Sequence, residues 1–289
     1  MSNPWETGFQ RRHIMMANGI AESGFCRNGA TLGGNKRMTG EIELDGNAGS
    51  PIVIGHRGAA GEAPENTLAS FRLAAEQGSH MVELDIHLSE DGKLIVCHDD
   101  TLDRTTDRTG AIRSLHSDAI RGADAGSWFS PSFAGERVPF LEEVYDLLPP
   151  HIEINVEVKD AGGALLDEVL LDYLRGGNRL ERTVVSSFDH KLLLRLKQAE
   201  PELRIGLLYA ADLIHHASYA ALLETEVWSL HPHHGLIGAK DAGDAIAAGL
   251  RIYPYTANHP AEWDRLVSVG VTGIITDYPG RLKEHLSSR

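Results

Sequence analysis

Net positive charge is missing from this chain of 289 residues: 41 acidic side chains face 27 lysines and arginines, a formal balance of −14. Nucleic acids and anionic lipid surfaces draw proteins through a basic excess, so this balance excludes both as general partners. An anionic ligand would have to be held by a local cluster of cations. Cysteine is nearly absent, only Cys26 and Cys97 being present. Two thiols without a CxxC spacing exclude a disulfide framework and a cysteine-built metal site. Cys97, inside an apolar run, reads as a small buried thiol. No apolar stretch reaches the roughly 20 residues that cross a bilayer, which argues against integral membrane contact. The first 48 residues also lack the positive, apolar, small-residue order of a secretory signal, so the expected location is the cytoplasm.

What remains is an ordinary globular composition, 42% hydrophobic and 24% charged. The length suits one large domain, since α/β barrels commonly run to about 250 residues without splitting. Nine of the 30 glycines fall in the first 50 residues, where "FCRNGATLGGNKRMTG" follows neither the helical nor the strand period. Residues 1–48 are therefore expected to be an irregular extension outside the core, with the domain at 49–289. Met15, Met16 and Met38 are alternative starts within the extension.

From Pro51 onward strand-like and helical patterns alternate. "PIVIG", "MVELDI", "KLIVCH", "IEINVEV", "RTVVSSF", "RIGLLY", "EVWSLH", "LRIYPYT" and "TGIITD" read as strands. "ENTLASFRLAAEQG" reads as an amphipathic helix capped by Asn66 or Thr67 and ended by Gly78, and "GGALLDEVLLDYLRG", "DHKLLLRLKQAE", "AKDAGDAIAAG" and "PAEWDRLVSVG" follow the same period. Repeated βα units imply a parallel sheet, and eight of them close into a barrel. Nine candidate strands predict that one is an accessory. Two connections break the rhythm: "HLSEDGK" predicts an extended return through an Asp-Gly turn, and residues 101–138 form a connection long enough to be a lid or binding element.

The chemistry concentrates at the expected C-terminal strand ends, where barrels place their active sites. His56 and Arg57 follow "IVIG"; Glu83 and Asp85, two apart, project to one side of their strand; His98 ends "LIVC"; and Glu157 and Lys159 repeat the two-apart spacing. Taken singly, Glu-x-Asp could be a salt-bridged face, His98 a turn histidine held by Asp99, and Lys159 a solvated lysine. Together, three carboxylates make a hard oxygen set that suits Mg²⁺ or Ca²⁺. Such a cation would also explain carboxylates inside an apolar strand. Two imidazoles supply a general acid and a general base, while Arg57 and Lys159 supply charge for a phosphate. The combination points to hydrolysis of a phosphodiester.

"GHRGAAGEAPENTLASFRLAAEQGSHMVELDIHLSEDGKLIVCHDDTLDRTTDRTG", followed in order by "VEVK", "SSF", "YTAN" and "TDYP", resembles the glycerophosphodiester phosphodiesterase family, related to phosphatidylinositol-specific phospholipase C. The resemblance runs from about Pro51 to the C-terminus. It implies a TIM (β/α)8 barrel with a small insertion after the third strand (101–138), one divalent cation, Mg²⁺ or Ca²⁺, and hydrolysis of glycerophosphodiesters to sn-glycerol 3-phosphate and an alcohol. By position, His56 and His98 match the family's acid/base pair, and Glu83, Asp85 and Glu157 its metal ligands. Arg57 and Lys159 match its phosphate-binding cations. Glu65 in "PENT" is a metal neighbour or the first-turn carboxylate of its helix.

Tyr255 stands where many relatives carry Trp, keeping an aromatic wall, and Phe188 packs over the glycerol or fills the barrel mouth. His231, in "SLHPHHG", borders the pocket or sits in an exposed loop.

Two rivals remain on the sequence alone. A lysophospholipase D would use the same centre on an acylated diester, with Trp128, Phe129 and Phe133 of "AGSWFSPSF" as an entry groove instead of the core of a lid. A non-catalytic phosphate-ester-binding barrel would show a degraded acid/base pair, whereas both histidines are present. A small-molecule diester is thus the expected partner. A homo-oligomer through surface helices is compatible with the pattern, which marks no interface.

Overall fold

The computed structural model describes residues 49–159 and 163–289, so the expectations for residues 1–48, Cys26 included, lie outside the described residues. Among the described residues nine strands form in chain order: β1 (Ile52–Gly55), β2 (Met81–Leu88), β3 (Leu94–Val96), β4 (Glu153–Val158), β5 (Thr183–Ser187), β6 (Arg204–Tyr209), β7 (Ser229–Pro232), β8 (Arg251–Ile252) and β9 (Gly273–Thr276). Between or after them lie α1 (Leu68–Glu76), α2 (Ser117–Arg121), α3 (Leu141–Leu147), α4 (Ala164–Arg175), α5 (His190–Ala199), α6 (His216–Ala221), α7 (Ala239–Ala247), α8 (Pro260–Val269) and α9 (Pro279–Ser287).

Eight strands pair in parallel in the order β8-β7-β6-β5-β4-β2-β1-β9. The ends of this row meet through single hydrogen bonds and not through a ladder: Thr272 N–H to Ile252 O at 3.2 Å and Ile275 N–H to Pro254 O at 3.1 Å. The result is a TIM barrel. The run "LRIYPYT" yields only a two-residue strand because Pro254 has no N–H to give a ladder. β3 is the accessory, antiparallel to β2 and outside the ring. The predicted Asp91-Gly92 turn joins them, with Gly92 at φ +79° and Ser89 N–H bonded to Lys93 O at 3.0 Å.

The period of two sorts each strand. On β2, Val82, Leu84 and Ile86 pack outward with Phe71 and Ala74 of α1, while Met81 joins Ile52, Ile54, Val184, Tyr253 and Ile275 in a separate cluster. Glu83 and Asp85 share the parity of Met81 and so face the barrel interior. On β4, Ile154, Val156 and Val158 face outward, which turns Asn155 and Glu157 inward. The helix α1 starts as expected: Thr67 Oγ1 accepts from Ser70 N–H, and Gly78 follows its end at φ +78°.

The 101–138 insertion has its own aliphatic core, in which Leu102, Ile112, Ile120 and Val138 pack with Ile95 and Cys97. Trp128, Phe129 and Phe133 are not that core. They stack edge to face at 5.7 Å with Trp128 42% exposed, so the lid-core expectation for these three is corrected. Among the described residues, no helix is long and apolar enough to cross a membrane.

Candidate active site

The expectation that every ionisable residue sits at a strand end needs refinement. Glu83 and Asp85 lie inside β2, but β1 stops at Gly55, opposite Val82, so both extend beyond the end of their neighbour on the ring. His98 follows β3, outside the ring; Cys97 N–H bonds to Asp85 O at 3.0 Å and keeps that segment beside the carboxylates.

Glu83, Asp85 and Glu157 each offer an oxygen within 4.8 Å of the others, and all three are buried. The pairing Asp85↔Glu157 between β2 and β4 brings two of them side by side. Glu83 Oε2 accepts from the Arg57 backbone N–H at 3.0 Å, and Asp85 Oδ2 accepts from Asn66 Nδ2 at 2.8 Å. Glu83 Oε1 and Asp85 Oδ1 accept no hydrogen bond. Buried carboxylate oxygens without donors are costly, and hard oxygens converging on one point fit a divalent cation. Glu65, by contrast, belongs neither to this triad nor to α1: it accepts from Arg57 Nη1 at 2.6 Å and from Arg104. The expectation that Glu65 is the cap or first-turn carboxylate of α1 is thereby corrected.

Two cations balance the triad. Lys159 Nζ donates to Glu157 Oε1 at 2.7 Å and lies 3.5 Å from Asp85 Oδ1, while Arg57 Nε lies 3.4 Å from Asp85 Oδ2. Burial pushes Glu83 well up from the usual carboxylate range, helped by the charges of Asp85 and Glu157. Burial and Asp85 likewise push Glu157 up to about 7. For Asp85, burial acts upward too but is outweighed by Arg57, Lys159 and His98, and its pKa falls. Arg57 adopts a left-handed φ of +50°. That unusual backbone is what aims its N–H at Glu83 while its side chain spans Glu65 and Asp85.

Each histidine is held at Nδ1 by an aspartate. His56 Nδ1–H donates to Asp277 Oδ1 at 2.6 Å, and Asp277 also accepts from Asn258 Nδ2 at 2.6 Å. His98 Nδ1–H donates to Asp99 Oδ1 at 2.7 Å, and Asp99 is gripped by Arg104. A carboxylate on Nδ1 selects the tautomer whose Nε2 lone pair is free. His56 Nε2 lies 4.0 Å from Glu83 Oε2. Burial lowers the pKa of His98, with Asp85 opposing and Arg57 assisting.

Phe188, half-exposed beyond β5, meets the Tyr255 ring edge to face at 6.0 Å. Tyr255 donates its hydroxyl to Tyr209 O at 3.2 Å, and His233 packs against its ring at 6.0 Å.

Neither expectation for His231 holds. It is fully buried within the barrel, its Nε2 2.8 Å from Ser229 Oγ, and burial lowers its pKa to about 3. It fits because Gly206 faces it: a Cβ there would come 2.6 Å from His231 Nε2.

Residue-level reasoning on sequence did not assign Asp277, Asn258 or Arg104. "TDYP" and "YTAN" contained the first two, but His56 and Asp277 are 221 positions apart and become neighbours only when β9 pairs with β1.

Residues 56–281 match the model of the glycerophosphoryl diester phosphodiesterase family. Over 235 residues the chain is 38% identical to a glycerophosphodiester phosphodiesterase of Caldanaerobacter subterraneus subsp. tengcongensis, spanning 80% of this chain and 96% of that one. A glycerophosphodiester phosphodiesterase of Bacillus subtilis is 33% identical over 254 residues, spanning 81% and 87% respectively. Among solved structures, an Oleispira antarctica phosphodiesterase in complex with the product sn-glycerol-3-phosphate aligns with a TM-score of 0.75 at 30% identity, covering 82% of this chain and 97% of that chain.

Proposed function

The chain belongs to the glycerophosphoryl diester phosphodiesterase family and is a phosphoric diester hydrolase, and from that premise we propose that it uses one divalent cation, Mg²⁺ or Ca²⁺, to cleave small glycerophosphodiesters to sn-glycerol 3-phosphate and an alcohol. The observation that carries the reading is the buried triad Glu83, Asp85 and Glu157 with two undonated oxygens, flanked by two histidines whose Nδ1 atoms are both held by aspartates. The product bound to the Oleispira antarctica phosphodiesterase supports the same chemistry.

Glu83, Asp85 and Glu157 are the residues that would hold the cation. When bound, it supplies charge that neutralises a phosphate oxygen and favours attack at phosphorus. Arg57 and Lys159 stabilise the remaining phosphoryl oxygens, the guanidinium fork of Arg57 matching their geometry. One of His56 and His98 takes a proton from the attacking oxygen, and the other returns one to the departing alkoxide. Asp277 and Asp99 hold both rings at Nδ1 and so leave Nε2 facing the reaction: in the base it accepts the proton as a neutral imidazole, and in the acid, protonated beforehand, it gives one up. Phe188 and Tyr255 flank the mouth as an apolar wall for the organic part of the substrate.

The test is release of sn-glycerol 3-phosphate from glycerophosphocholine by the full chain, with Mg²⁺, with Ca²⁺ and with chelator, alongside His56→Ala and Glu83→Ala. Cation-dependent release lost in both variants is expected. Release that survives chelation would overturn the metal assignment. Preference for the monoacyl analogue would make the enzyme a lysophospholipase D, and no turnover of either diester, with binding retained, would make it a binding barrel.

A further inference from the structure

Arg104 lies in the 101–138 insertion, on no barrel strand, and its guanidinium is bidentate at two ends. Toward Glu65, Nη1 reaches Oε2 and Nη2 reaches Oε1, both at 2.8 Å. Toward Asp99, Nε reaches Oδ2 at 2.8 Å and Nη2 reaches Oδ1 at 3.0 Å. The two oxygens bound by Nη2 are also the ones used by the site. Glu65 Oε1 accepts from Arg57 Nη1 at 2.6 Å, and Asp99 Oδ1 accepts from His98 Nδ1–H at 2.7 Å. One planar cation thus sits at the centre of the chain Arg57–Glu65–Arg104–Asp99–His98, with a phosphate-binding candidate at one end and an acid/base candidate at the other.

Resting on the phosphodiesterase reading above, we propose that Arg104 is a positioning residue that orients His98 through Asp99 and Arg57 through Glu65, making the insertion part of the catalytic apparatus. The physical argument is geometric. A carboxylate bound by one donor rotates about its terminal bond; bound bidentately, it presents fixed oxygens. Without Arg104, Asp99 is free to turn away from His98, and the imidazole loses the partner that selects its tautomer. Glu65, no longer shared, pairs with Arg57 alone and draws it from Asp85. A lysine is a compact point charge and cannot hold two carboxylates bidentately at once.

The experiment compares full-length wild type, Arg104→Gln, Arg104→Lys and Arg121→Gln on glycerophosphocholine at saturating Mg²⁺. Arg121 is the control: it ties the same insertion to the barrel helix α3 through Glu143 without touching the Arg104 chain. Partners that orient a reacting group typically cost about 10- to 100-fold when lost. Arg104→Gln is expected to lower kcat by that factor and to raise KM, through His98 and Arg57 respectively. Arg104→Lys is expected to recover part of the loss, and Arg121→Gln to keep wild-type kinetics. The emission of Trp128, which lies in the insertion, should stay unchanged in both Arg104 variants.

Wild-type kcat and KM in Arg104→Gln, or an equal loss in Arg121→Gln, would overturn the proposal, the latter by reducing Arg104 to an anchor. Imidazole ¹⁵N spectra of His98 decide the same point without turnover. A shift from the Nδ1–H tautomer in Arg104→Gln and in Arg104→Lys supports the proposal, and an unshifted tautomer sinks it. That shift in the Arg104 variants, beside a wild type that turns over no diester, would count against the phosphodiesterase reading alone.

Discussion

The barrel buries ionisable groups in two ways. On the side of β1, β2 and β4, Glu83, Asp85 and Glu157 crowd together with Arg57 and Lys159, and two carboxylate oxygens are left without donors. On the side of β6 and β7, His231 is equally buried, yet it bonds to neutral Ser229 and packs against the aromatic ring of Tyr253. The difference is chemical. An imidazole escapes the cost of burial by staying neutral, and burial drives its pKa down to about 3. Three adjacent carboxylates cannot all become neutral while Arg57 and Lys159 hold Asp85 ionised, so charge persists and asks for a cation. The half that carries reactive groups is the half whose electrostatics are incomplete.

The largest effects should come from breaking the charged half. His56→Ala is expected to lower kcat by roughly 10²- to 10⁴-fold, the usual contribution of a general acid or base, in a steady-state assay with saturating Mg²⁺. Asp277→Asn, which leaves the ring in place but removes the carboxylate that holds Nδ1, should cost less than His56→Ala and more than any change at His231.

Next in size is the response to pH and metal. Glu83 is raised and Glu157 lies at about 7. At these two carboxylates the folded metal-free protein therefore binds more protons than the unfolded chain between the ordinary range near 4.5 and about 7, and their contribution to stability falls as pH rises through that window. Cation binding requires the deprotonated forms. The rise in Tm produced by Mg²⁺ or Ca²⁺ should accordingly be larger at pH 8 than at pH 5.5, as differential scanning fluorimetry would read. An equal rise at both values would mean that these carboxylates are not the ligands.

Smaller changes are expected in the quiet half. His231→Leu leaves Ser229 without its partner and should destabilise by about 1–3 kcal/mol, read by urea denaturation, with turnover unchanged. Adding Ser229→Ala should return much of that loss, because neutral partners removed together leave nothing unsatisfied. At the rim, Phe188 is half-exposed, so Phe188→Leu should change stability by less than about 0.5 kcal/mol. It should raise KM with little change in kcat, as expected for loss of uniform binding.

Much of this site was legible along the chain because its information is local. Parity placed Glu83 and Asp85 on one side of β2, and the outward packing of Val82, Leu84 and Ile86 decides that this side is the interior. The Asp-Gly turn was readable from residue chemistry alone, and the N-cap of α1 to within the pair Asn66 and Thr67, between which the structure chose Thr67. Long-range partners were not. Asp277 serves His56 across the seam where β9 meets β1, and Arg104 reaches Glu65 from an insertion without periodicity. His231 was misplaced because "SLHPHHG" looks polar, whereas the strand carries its first histidine inside and Gly206 makes room for it.

By itself, then, the sequence determined the order of the strands, which side chains share a face of β2 and of β4, and the kinds of group available for phosphodiester chemistry. Side-chain parity and donor chemistry are properties of a few adjacent residues. The tertiary structure alone decided which aspartate holds each imidazole, that Glu65 serves two arginines and not the metal triad, and that His231 stays neutral in the core. Those outcomes depend on ring closure and on burial, and both are set by residues far away along the chain.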